Sequence, residues 1–438
     1  MSNLSSSSTL TPGSAPASQT EIDATYRKVT ARLVPFLVFL FILAWIDRVN
    51  IGFAKLQMLQ DLHFSEAVYG LGAGIFFIGY FLFEVPSNLL LEKIGARATL
   101  ARITILWGLT SMAMIFAHTP TSFYILRFLL GAFEAGFFPG VVLYLTYWFP
   151  SARRARINGL FMTSFAIAGI IGNPIAGLVM KATSGLEGLA NWQWLFLFEG
   201  IPSVLAGFAV LAYLPKKPDD AKWLTGSERA ILHSEVAKDA ADPAKRSSLK
   251  DAFNARVWLC AAIYFCIVAG NATIAFWTPS IIKALGVQGD LTIGLVAAIP
   301  FVAGTIAMVW YGSRSDRTGE RRMHCVVASI VATIGLIGTG YLLDQPHMAL
   351  VSLTVAAIGI LAAFPVFWAL PSAFLTGTAA AGGIALINSI GNLAGFVAPY
   401  TIGWLKVTTG KLSAGLYFVG ILELGAAVLI LAFVRVKR

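Results

Sequence analysis

Long apolar stretches separated by short polar ones make up most of the chain from residue 33 onward. A helix needs about 20 consecutive apolar residues to cross the hydrocarbon core of a bilayer. Ten runs meet that requirement with few charges: residues 33–54, 67–91, 103–126, 128–152, 157–180, 191–214, 257–282, 291–313, 323–343 and 412–434. Each is predicted to be one transmembrane helix.

An eleventh run, residues 348–405, contains no charged residue and is too long for a single helix. Small residues and glycines from Thr376 to Gly383 favour a turn within it. The run therefore predicts two helices. The predicted fold class is an all-α membrane protein with twelve transmembrane helices in two six-helix bundles.

The polar stretches divide the chain into four regions. Residues 1–24 are rich in Ser and Thr and lack the features of a signal peptide, so they predict a disordered cytoplasmic tail. Residues 25–214 hold the first six spans, and residues 253–438 hold the other six. Residues 215–252 alternate acids and bases and are too few for an independent core, so they predict a cytoplasmic linker rather than a catalytic domain.

Positive charges are unevenly distributed along this chain of net charge +10. Of its 32 Lys and Arg, 25 lie in connections on the side of the N-terminus and 5 in the opposite connections, while Arg48 and Arg127 lie within spans. Cytoplasmic loops carry such an excess. Both termini are therefore predicted to lie in the cytoplasm, and the protein is predicted to lie in the cytoplasmic (inner) membrane. Its expected partner is membrane lipid and not nucleic acid.

Composition also limits the kind of site. With 57% hydrophobic and 12% charged residues, the chain differs from ordinary soluble domains. Cys260, Cys266 and Cys325 fit neither a zinc motif nor a disulfide framework, so we interpret them as packing residues. The spans contain no Cys or His cluster and no Ser-His arrangement. Neither an enzyme nor a metal or cofactor is predicted.

A short motif recurs in the two halves of the chain. Its first copy contains Glu92, Lys93, Gly95 and Arg97, and its second, 224 residues later, contains Gly312, Asp316, Arg317, Gly319 and Arg321. Glycine permits a tight turn between helices, and the acid and bases can pair across neighbouring helix ends. We predict a gating latch at the cytoplasmic surface.

With this repeat the chain resembles the major facilitator superfamily of secondary transporters. The signature of that superfamily is Gly-x-x-x-Asp-Arg-x-Gly-Arg-Arg, and the second copy departs from it only slightly, at Glu320. The first copy departs more, with Asn88, Glu92 and Ala96 at signature positions, so its latch is expected to be weaker or differently timed. Members of the superfamily usually act as monomers, which the resemblance implies here.

Within the superfamily, four stretches and the tail resemble the anion:cation symporter family. They are Trp45–Asn50, Tyr80–Asn88, Arg127 to Pro139, Trp192–Gly200 and Phe364–Gly403. That family includes permeases for tartrate, sugar acids and aromatic acids, sialin and the vesicular glutamate transporters, and the tail is most similar to the tartrate branch.

Four charges in the first half lie inside the predicted spans: Asp47, Arg48, Arg127 and Glu134. An ionised side chain at bilayer depth costs at least about 2.5–3.5 kcal/mol, so such residues normally face a water-filled cavity or each other. Residues seven apart on a helix differ by about 700°, nearly two full turns, so Arg127 and Glu134 share one face about 10 Å apart.

Arginine binds a carboxylate through two parallel hydrogen bonds, whereas carboxylates bind and release protons. The four charges therefore suit an organic anion moved with protons; the alternative is a salt-bridge network that only joins spans one and four. The family resemblance implies that Arg48 and Arg127 are the substrate and coupling arginines and that Asp47 and Glu134 are protonation sites. We predict that Arg48 contacts the substrate carboxylate and that Glu134 carries the coupling proton.

Other polar residues within the spans have less specific predictions. Helix pairing is favoured over proton transfer for Glu84, Glu199 and Glu423. Five residues are predicted to line the cavity and to bind substrate hydroxyls or rings: Tyr80, Asn271, Trp368, Asn388 and Asn392.

The sequence thus predicts a transporter that imports a small organic anion, a tartrate-like hydroxy dicarboxylate or a sugar acid, with protons by alternating access. Three alternatives stay open: an uncoupled or exchanging carrier, an aromatic-acid permease, and a sensor that does not transport.

Overall fold

The computed structural model of the chain describes residues 18–240, 254–372 and 377–433, which contain sixteen α-helices and no β-strand. In chain order the helices are α1 Gln19–Val49, α2 Ile51–Asp61, α3 Glu66–Ile94, α4 Ala96–Ala113, α5 Pro120–Glu134, α6 Phe137–Thr146, α7 Ser151–Ala182, α8 Asn191–Tyr213, α9 Gly226–Ala240, α10 Ala255–Ala284, α11 Asp290–Thr318, α12 Arg322–Tyr341, α13 Pro346–Ser372, α14 Gly377–Asn392, α15 Ala394–Thr409 and α16 Leu412–Phe433.

These helices form twelve membrane-crossing units. The first half contains α1 with α2, α3, α4, α5 with α6, α7 and α8; the second contains α10, α11, α12, α13, α14 with α15, and α16. Within the described residues, eleven units are long and apolar enough to cross a bilayer, and α7 contributes a shorter apolar segment, Ile167–Ala182. Large apolar side chains on the outer surface, such as Ile306 and Ile334, are more than 60% exposed. An apolar surface of this kind is suited to lipid.

The boundary between the third and fourth units differs from the prediction. Residues 103–126 were predicted as one span, but α4 ends at Ala113 and α5 begins at Pro120. Thr119 caps α5 by accepting a hydrogen bond from the backbone of Ser122, and proline suits the first position of a helix. The turn contains no charge, so hydropathy alone did not separate the two helices.

Two other predicted boundaries are also corrected, and the predicted linker is partly helical. Residues 19–24 are helical rather than disordered, because Ser18 and Glu21 form a reciprocal cap at the start of α1. Residues 377–383 begin α14 rather than form a turn, and their alanines favour a helix. The predicted linker contains helix α9, which Lys28 of α1 holds through a 2.9 Å ion pair with Glu228.

The turns define the two ends of the molecule. We call distal the end that holds the turns near residues 63, 118, 185, 286, 344 and 410, and proximal the end that holds the start of α1 and the turns near residues 95, 150 and 319. At the distal end the halves touch along α3 with α15, α7 with α11 and α2 with α10. A Cβ added to Gly70 would lie 2.5 Å from the Pro399 carbonyl oxygen, so the backbones are in close contact there.

A similar close approach joins α3 to α5 within the first half. A Cβ on Gly131 would lie 1.9 Å from the Phe76 carbonyl oxygen, and a Cβ on Gly79 would lie 2.2 Å from that of Phe128. Only glycine permits this spacing. The contact brings the Arg127 side of α5 against the Phe76 side of α3 and so builds one wall of the site described below.

Candidate functional site

Arg48 and Glu134 meet in the interior of the first half. Arg48 lies near the end of α1 and Glu134 at the end of α5. The Arg48 Nε donates to Glu134 Oε1 at 3.1 Å, and one of its Nη atoms donates to the same oxygen. The Glu134 side chain is 3% exposed and that of Arg48 19%. The structure therefore forms an ion pair from two of the four predicted charges.

An aromatic box surrounds the Arg48 guanidinium. Its carbon lies 5.4 Å from the centre of the Trp45 ring, 5.1 Å from Phe76 and 5.5 Å from Tyr80. Ring faces attract cations at such distances. Tyr80 was predicted from the sequence, whereas Trp45 and Phe76 were not. Their spacing gave a signal, because Trp45 precedes Arg48 by three residues and Phe76 precedes Tyr80 by four, so each pair shares a helix face.

Arg127 also lies beside the phenyl ring of Phe76. Its guanidinium carbon is 5.3 Å from the centre of the Phe76 ring, its Nε donates to the Gly72 carbonyl oxygen at 3.2 Å, and the residue is fully buried. Within the described part of the chain, neither Nη atom has a hydrogen-bond partner. A buried guanidinium normally uses its donors. Arg127 thus has spare donors beside an ion pair, which suits a carboxylate ligand.

Asp47 is separated from this group and points to another wall. It is 1% exposed and accepts hydrogen bonds from Trp107 Nε1 at 3.1 Å, from Ser111 Oγ at 2.7 Å and from Ser203 Oγ. These donors come from α4 and α8. The structure therefore brings together Arg48, Arg127 and Glu134 but not Asp47.

Of the predicted cavity residues of the second half, Trp368 lies in an aromatic cluster and the other three are asparagines of α10 and α14. Trp368 of α13 is 4.8 Å from the ring centre of Tyr264, which also stacks on Phe367 at 4.9 Å. Asn271 is 8% exposed, and its Oδ1 has no hydrogen-bond partner among the described residues. Asn388 and Asn392 of α14 are half-buried. The ring and hydrogen-bond contacts of Arg48 and Arg127 described above all come from the first half.

Of the three carboxyls predicted to pair helices, only Glu84 does so. It accepts a hydrogen bond from Ser389 of the second half at 3.3 Å. Glu199 and Glu423 are buried, and neither makes a hydrogen bond or ion pair in the described residues. The helix-pairing prediction is wrong for these two, because no base of a neighbouring described helix pairs with either carboxyl; the Asn50 amide is the polar side chain that faces Glu199.

The second copy of the gating motif forms a contact between neighbouring helices. Gly319 ends α11 with a φ of +67°, a conformation that favours glycine, and Asp316 pairs with Arg321 across the turn. Arg317 is exposed in the last turn of α11. Gly312 has the Pro365 ring 3.3 Å from where a Cβ would lie.

The first copy is built differently. Gly95 again ends a helix, with a φ of +81°, but Arg97 donates to the Leu211 carbonyl oxygen of α8 instead of pairing with an acid. Glu92 and Lys93 are exposed and form no ion pair in the portion of the chain described. Both copies connect helices of their own half.

At the distal end a second ion cluster joins the two halves. Lys55 Nζ lies 2.6 Å from Glu66 Oε2, and Lys406 of the second half pairs with the other Glu66 oxygen. Lys55 also lies 3.5 Å from the centre of the Trp277 ring and 4.3 Å from that of Tyr69. We call Lys55, Glu66 and Lys406 the distal cluster.

Further hydrogen bonds close the same seam. The Tyr69 hydroxyl donates to the Phe276 carbonyl oxygen at 2.7 Å, and Gln57 donates to Asp290 at 3.1 Å. Lys283 donates to the Leu56 carbonyl oxygen at 2.8 Å. The distal seam is therefore shut in this structure.

Comparison with known proteins supports the architecture. The Major Facilitator Superfamily model matches residues 37–399. The bacterial xylose transporter XylE from E. coli, in a partially occluded inward-open conformation, has a TM-score of 0.70 at 15% identity, with 92% of this chain and 99% of that chain covered. A bacterial homologue of the human lysosomal transporter Spinster, inward-facing and occupied, has a TM-score of 0.69 at 14% identity, with coverage of 93% and 96%. The prediction of twelve helices in two bundles is confirmed.

Sequence relatives are closer. A protein of Agrobacterium vitis provisionally named as a tartrate transporter is 48% identical over 93% of this chain and 91% of its own length. A Pseudomonas putida protein provisionally named as metabolite transport protein NicT is 46% identical, with coverage of 93% and 94%. A quinolone resistance transporter of Acinetobacter baumannii is 43% identical, with coverage of 94% and 95%.

Proposed function

This chain belongs to the major facilitator superfamily of membrane transporters, and on that premise we propose that it imports a small organic anion together with protons. Its relatives are named as transporters, so the prediction that it is not an enzyme is confirmed. The single observation that carries the proposal is the grouping of Arg48, Glu134 and Arg127 around the ring of Phe76.

Substrate binding is assigned to the two arginines. Arg127 has spare Nη donors, and Arg48 is held in a box of three rings that orients its guanidinium. A carboxylate accepts two parallel hydrogen bonds from such a group. Two arginines beside one ring suit a molecule with two acidic groups, so a tartrate-like hydroxy dicarboxylate is the leading substrate class. The name of the Agrobacterium relative supports this choice.

Proton coupling is assigned to Glu134. Ionised Glu134 neutralises Arg48 while no substrate is bound. A substrate carboxylate that binds Arg48 competes with Glu134 for its donors, and a buried carboxylate that loses its cation is strongly destabilised. Protonation of Glu134 removes that cost. Anion and proton therefore favour each other's binding by the same factor, as thermodynamic linkage requires.

Alternating access supplies the transport step, and the second half supplies selectivity. Trp368, Asn271, Asn388 and Asn392 offer an indole and amides but no charge, which suits recognition of hydroxyl groups. We place the protein in the inner membrane with both termini in the cytoplasm. The distal end then faces outward, and its shut seam corresponds to a state that is closed to the outside.

The proposal is tested by ligand screening on the purified protein. A panel of dicarboxylic, sugar and aromatic acids is added to the parent and to Arg48→Ala, and unfolding temperatures are recorded. A ligand that binds only the native state stabilises it, so hydroxy dicarboxylates should raise the unfolding temperature of the parent alone. Equal rises in unfolding temperature in both proteins would show that Arg48 is not part of the site. Rises with aromatic acids alone would show that the substrate is an aromatic acid and not a hydroxy dicarboxylate.

A further inference from the structure

Glu199 lies on α8, in a part of the first half that the arginine site does not use. Its side chain is buried, and both carboxyl oxygens lack a hydrogen-bond partner within the described residues. Together with Asn50 and Asn173 it lines a cavity of about 10 Å³, with Ile46, Val49, Phe53, Gly172 and Ala176 forming the apolar remainder. A space of that size holds about one water molecule.

Among the residues that the structure describes, the groups that face Glu199 include no cation. From α1 the charged neighbour is Asp47. From the junction of α1 with α2 the polar neighbour is the Asn50 amide, which is buried and faces the Glu199 carboxyl. From α7 the polar neighbour is Asn173. At this level α4 presents Trp107 and Ser111, which donate to Asp47. An isolated ionised carboxylate in such surroundings would be strongly destabilised.

A count of the charges in this region also indicates that one of its acids is protonated. In the interior of α1, α5 and α8 lie three acids, Asp47, Glu134 and Glu199, and two arginines, Arg48 and Arg127. Glu134 pairs with Arg48, whereas Asp47 accepts three hydrogen bonds and has no ion pair among the described residues. One negative charge would remain unmatched if all five groups were ionised. A single proton neutralises the group, and Glu199 holds it more readily than Asp47 because it lacks the three donors that stabilise the Asp47 carboxylate.

The cavity lies directly behind the seam between the halves. Asn173 lines it and also touches the second half, because a Cβ on Gly294 of α11 would lie 2.5 Å from the Asn173 carbonyl oxygen. Four residues further along α7, a Cβ on Gly177 would lie 2.5 Å from the Asp290 carbonyl oxygen. Glu199 is eight residues from the distal start of α8, about 12 Å of helix. Opening of the distal seam would move the cavity wall that α7 provides.

We propose that Glu199 is a second proton-binding site, separate from the Arg48–Glu134 pair, which exchanges its proton with water on the distal side when the seam between α7 and α11 opens. When the seam opens, the O–H bond of the Glu199 carboxyl breaks and the proton passes to water. The resulting carboxylate then faces Asn50 and Asp47. Glu199 takes up a proton from water again before the seam shuts. The role of this site in transport rests on the proposed function. Proton binding by Glu199 and its access to water can be measured without substrate.

The matched control is Glu423 of α16. Like Glu199, it is buried without a partner in the described residues, but it lies in the core of the second half, where its Oε1 would be 2.1 Å from a Cβ on Gly270. Glu423 does not line the cavity that Glu199 lines, and its described contact is with Gly270 of its own half. Glu423 should therefore also hold a proton, but without access controlled by the distal seam.

The test is infrared spectroscopy of the carbonyl stretch of protonated carboxyls, on protein in lipid nanodiscs at neutral pH. Glu199→Gln should lose one band and Glu423→Gln a different one, while Glu134→Gln should leave the Glu199 band in place. A spectrum unchanged by Glu199→Gln would overturn the proposal. If that variant fails to fold, Asn50→Leu serves instead, because loss of the neighbouring amide should shift the same band, and an unmoved band would count against the site.

Access is tested by transfer into D₂O. Gln57→Cys with Asp290→Cys places a crosslinkable pair across the distal seam, where the parent side chains lie 3.1 Å apart and the three native cysteines are buried. Crosslinking should slow the hydrogen–deuterium exchange seen in the Glu199 band, and reduction of the crosslink should restore the original rate. The exchange rate of the Glu423 band should not change. Equal rates before and after crosslinking would refute control by the seam. Stabilisation by sodium but not choline chloride, lost in Glu199→Gln, would reassign the site to a metal cation.

These outcomes are separable from the transport proposal. If Glu134→Gln still couples protons to substrate, the coupling role of Glu134 fails while the Glu199 measurements stand. If the Glu199 band is absent and Glu134→Gln uncouples transport, the second site fails and the transport proposal stands.

Discussion

Two ion clusters in this protein look alike but connect different parts of the molecule. In one, Arg48 pairs with Glu134 beside the rings of Trp45, Phe76 and Tyr80. In the distal cluster, Lys55 pairs with Glu66 beside the rings of Tyr69 and Trp277. Both combine a cation, a carboxylate and aromatic faces.

The difference lies in which halves they join. The Arg48–Glu134 pair is contained in the first half, so it can persist while the halves move and can exchange its carboxylate for that of a substrate. The distal cluster includes Lys406 of the second half and must break whenever the distal seam opens. One cluster is therefore suited to ligand chemistry and the other to the balance between conformations.

The largest expected effect comes from the arginine with unused donors. Arg127→Ala should weaken binding of the anion by about 30-fold or more, because loss of one partner of a buried charge pair costs about 2–5 kcal/mol. Isothermal titration of parent and variant measures it. Arg127→Lys is the matched control, since it keeps the charge but not the planar fork, and it should bind with intermediate affinity. Unchanged affinity in Arg127→Ala would place the ligand elsewhere.

A smaller and different effect is expected at the distal cluster. Glu66→Gln weakens two charge-assisted contacts, each worth about 1.5–3 kcal/mol, and should shift the balance toward a distally open state by about 10-fold or more. Spin labels on cysteines introduced at His63 and Lys411, both exposed at the distal end, report the distance across the seam. Glu320→Gln, at the proximal end, is the control. An unchanged distance distribution in Glu66→Gln would show that the cluster does not hold the seam.

The smallest effect concerns the shared ring. Phe76→Leu keeps most of the apolar volume but removes the face that lies against both arginines, a contact worth about 0.5–2 kcal/mol. Affinity for the anion should fall about 2- to 30-fold, measured by the same titration. Phe196→Leu, a buried phenylalanine that packs on Trp192 away from the site, should bind like the parent. Equal losses in the two variants would indicate general destabilisation.

The fold was predictable because its signal is additive along the chain. Runs of about 20 apolar residues identify membrane helices almost independently of their neighbours. Errors arose where the local signal is not hydropathy: the turn at Thr119 and Pro120 is a cap with no charge, and residues 377–383 combine glycines with helix-forming alanines. Cap and propensity signals compete with hydropathy only over a few residues.

The site was predictable in kind but not in arrangement. Because both are charged residues inside a span, Asp47 and Arg48 were equally strong candidates for the site. Adjacent helix residues point about 100° apart, however. Only the packing of α4 and α8 shows that Asp47 accepts hydrogen bonds from Trp107, Ser111 and Ser203. Likewise Glu199 and Glu423 read as helix-pairing residues, because the absence of a partner is visible only in three dimensions. Contacts between distant segments are what the sequence pattern leaves open.

The central claim is that Glu134 couples the anion to a proton through Arg48. Its most direct test is substrate-driven proton uptake into proteoliposomes that contain a pH-sensitive dye, for the parent and for Glu134→Gln. We predict that anion entry acidifies the interior of parent vesicles, whereas Glu134→Gln binds the anion and exchanges it across the membrane without proton movement. Acidification by Glu134→Gln at the rate of the parent, or anion uptake by the parent with no proton movement, would contradict the account.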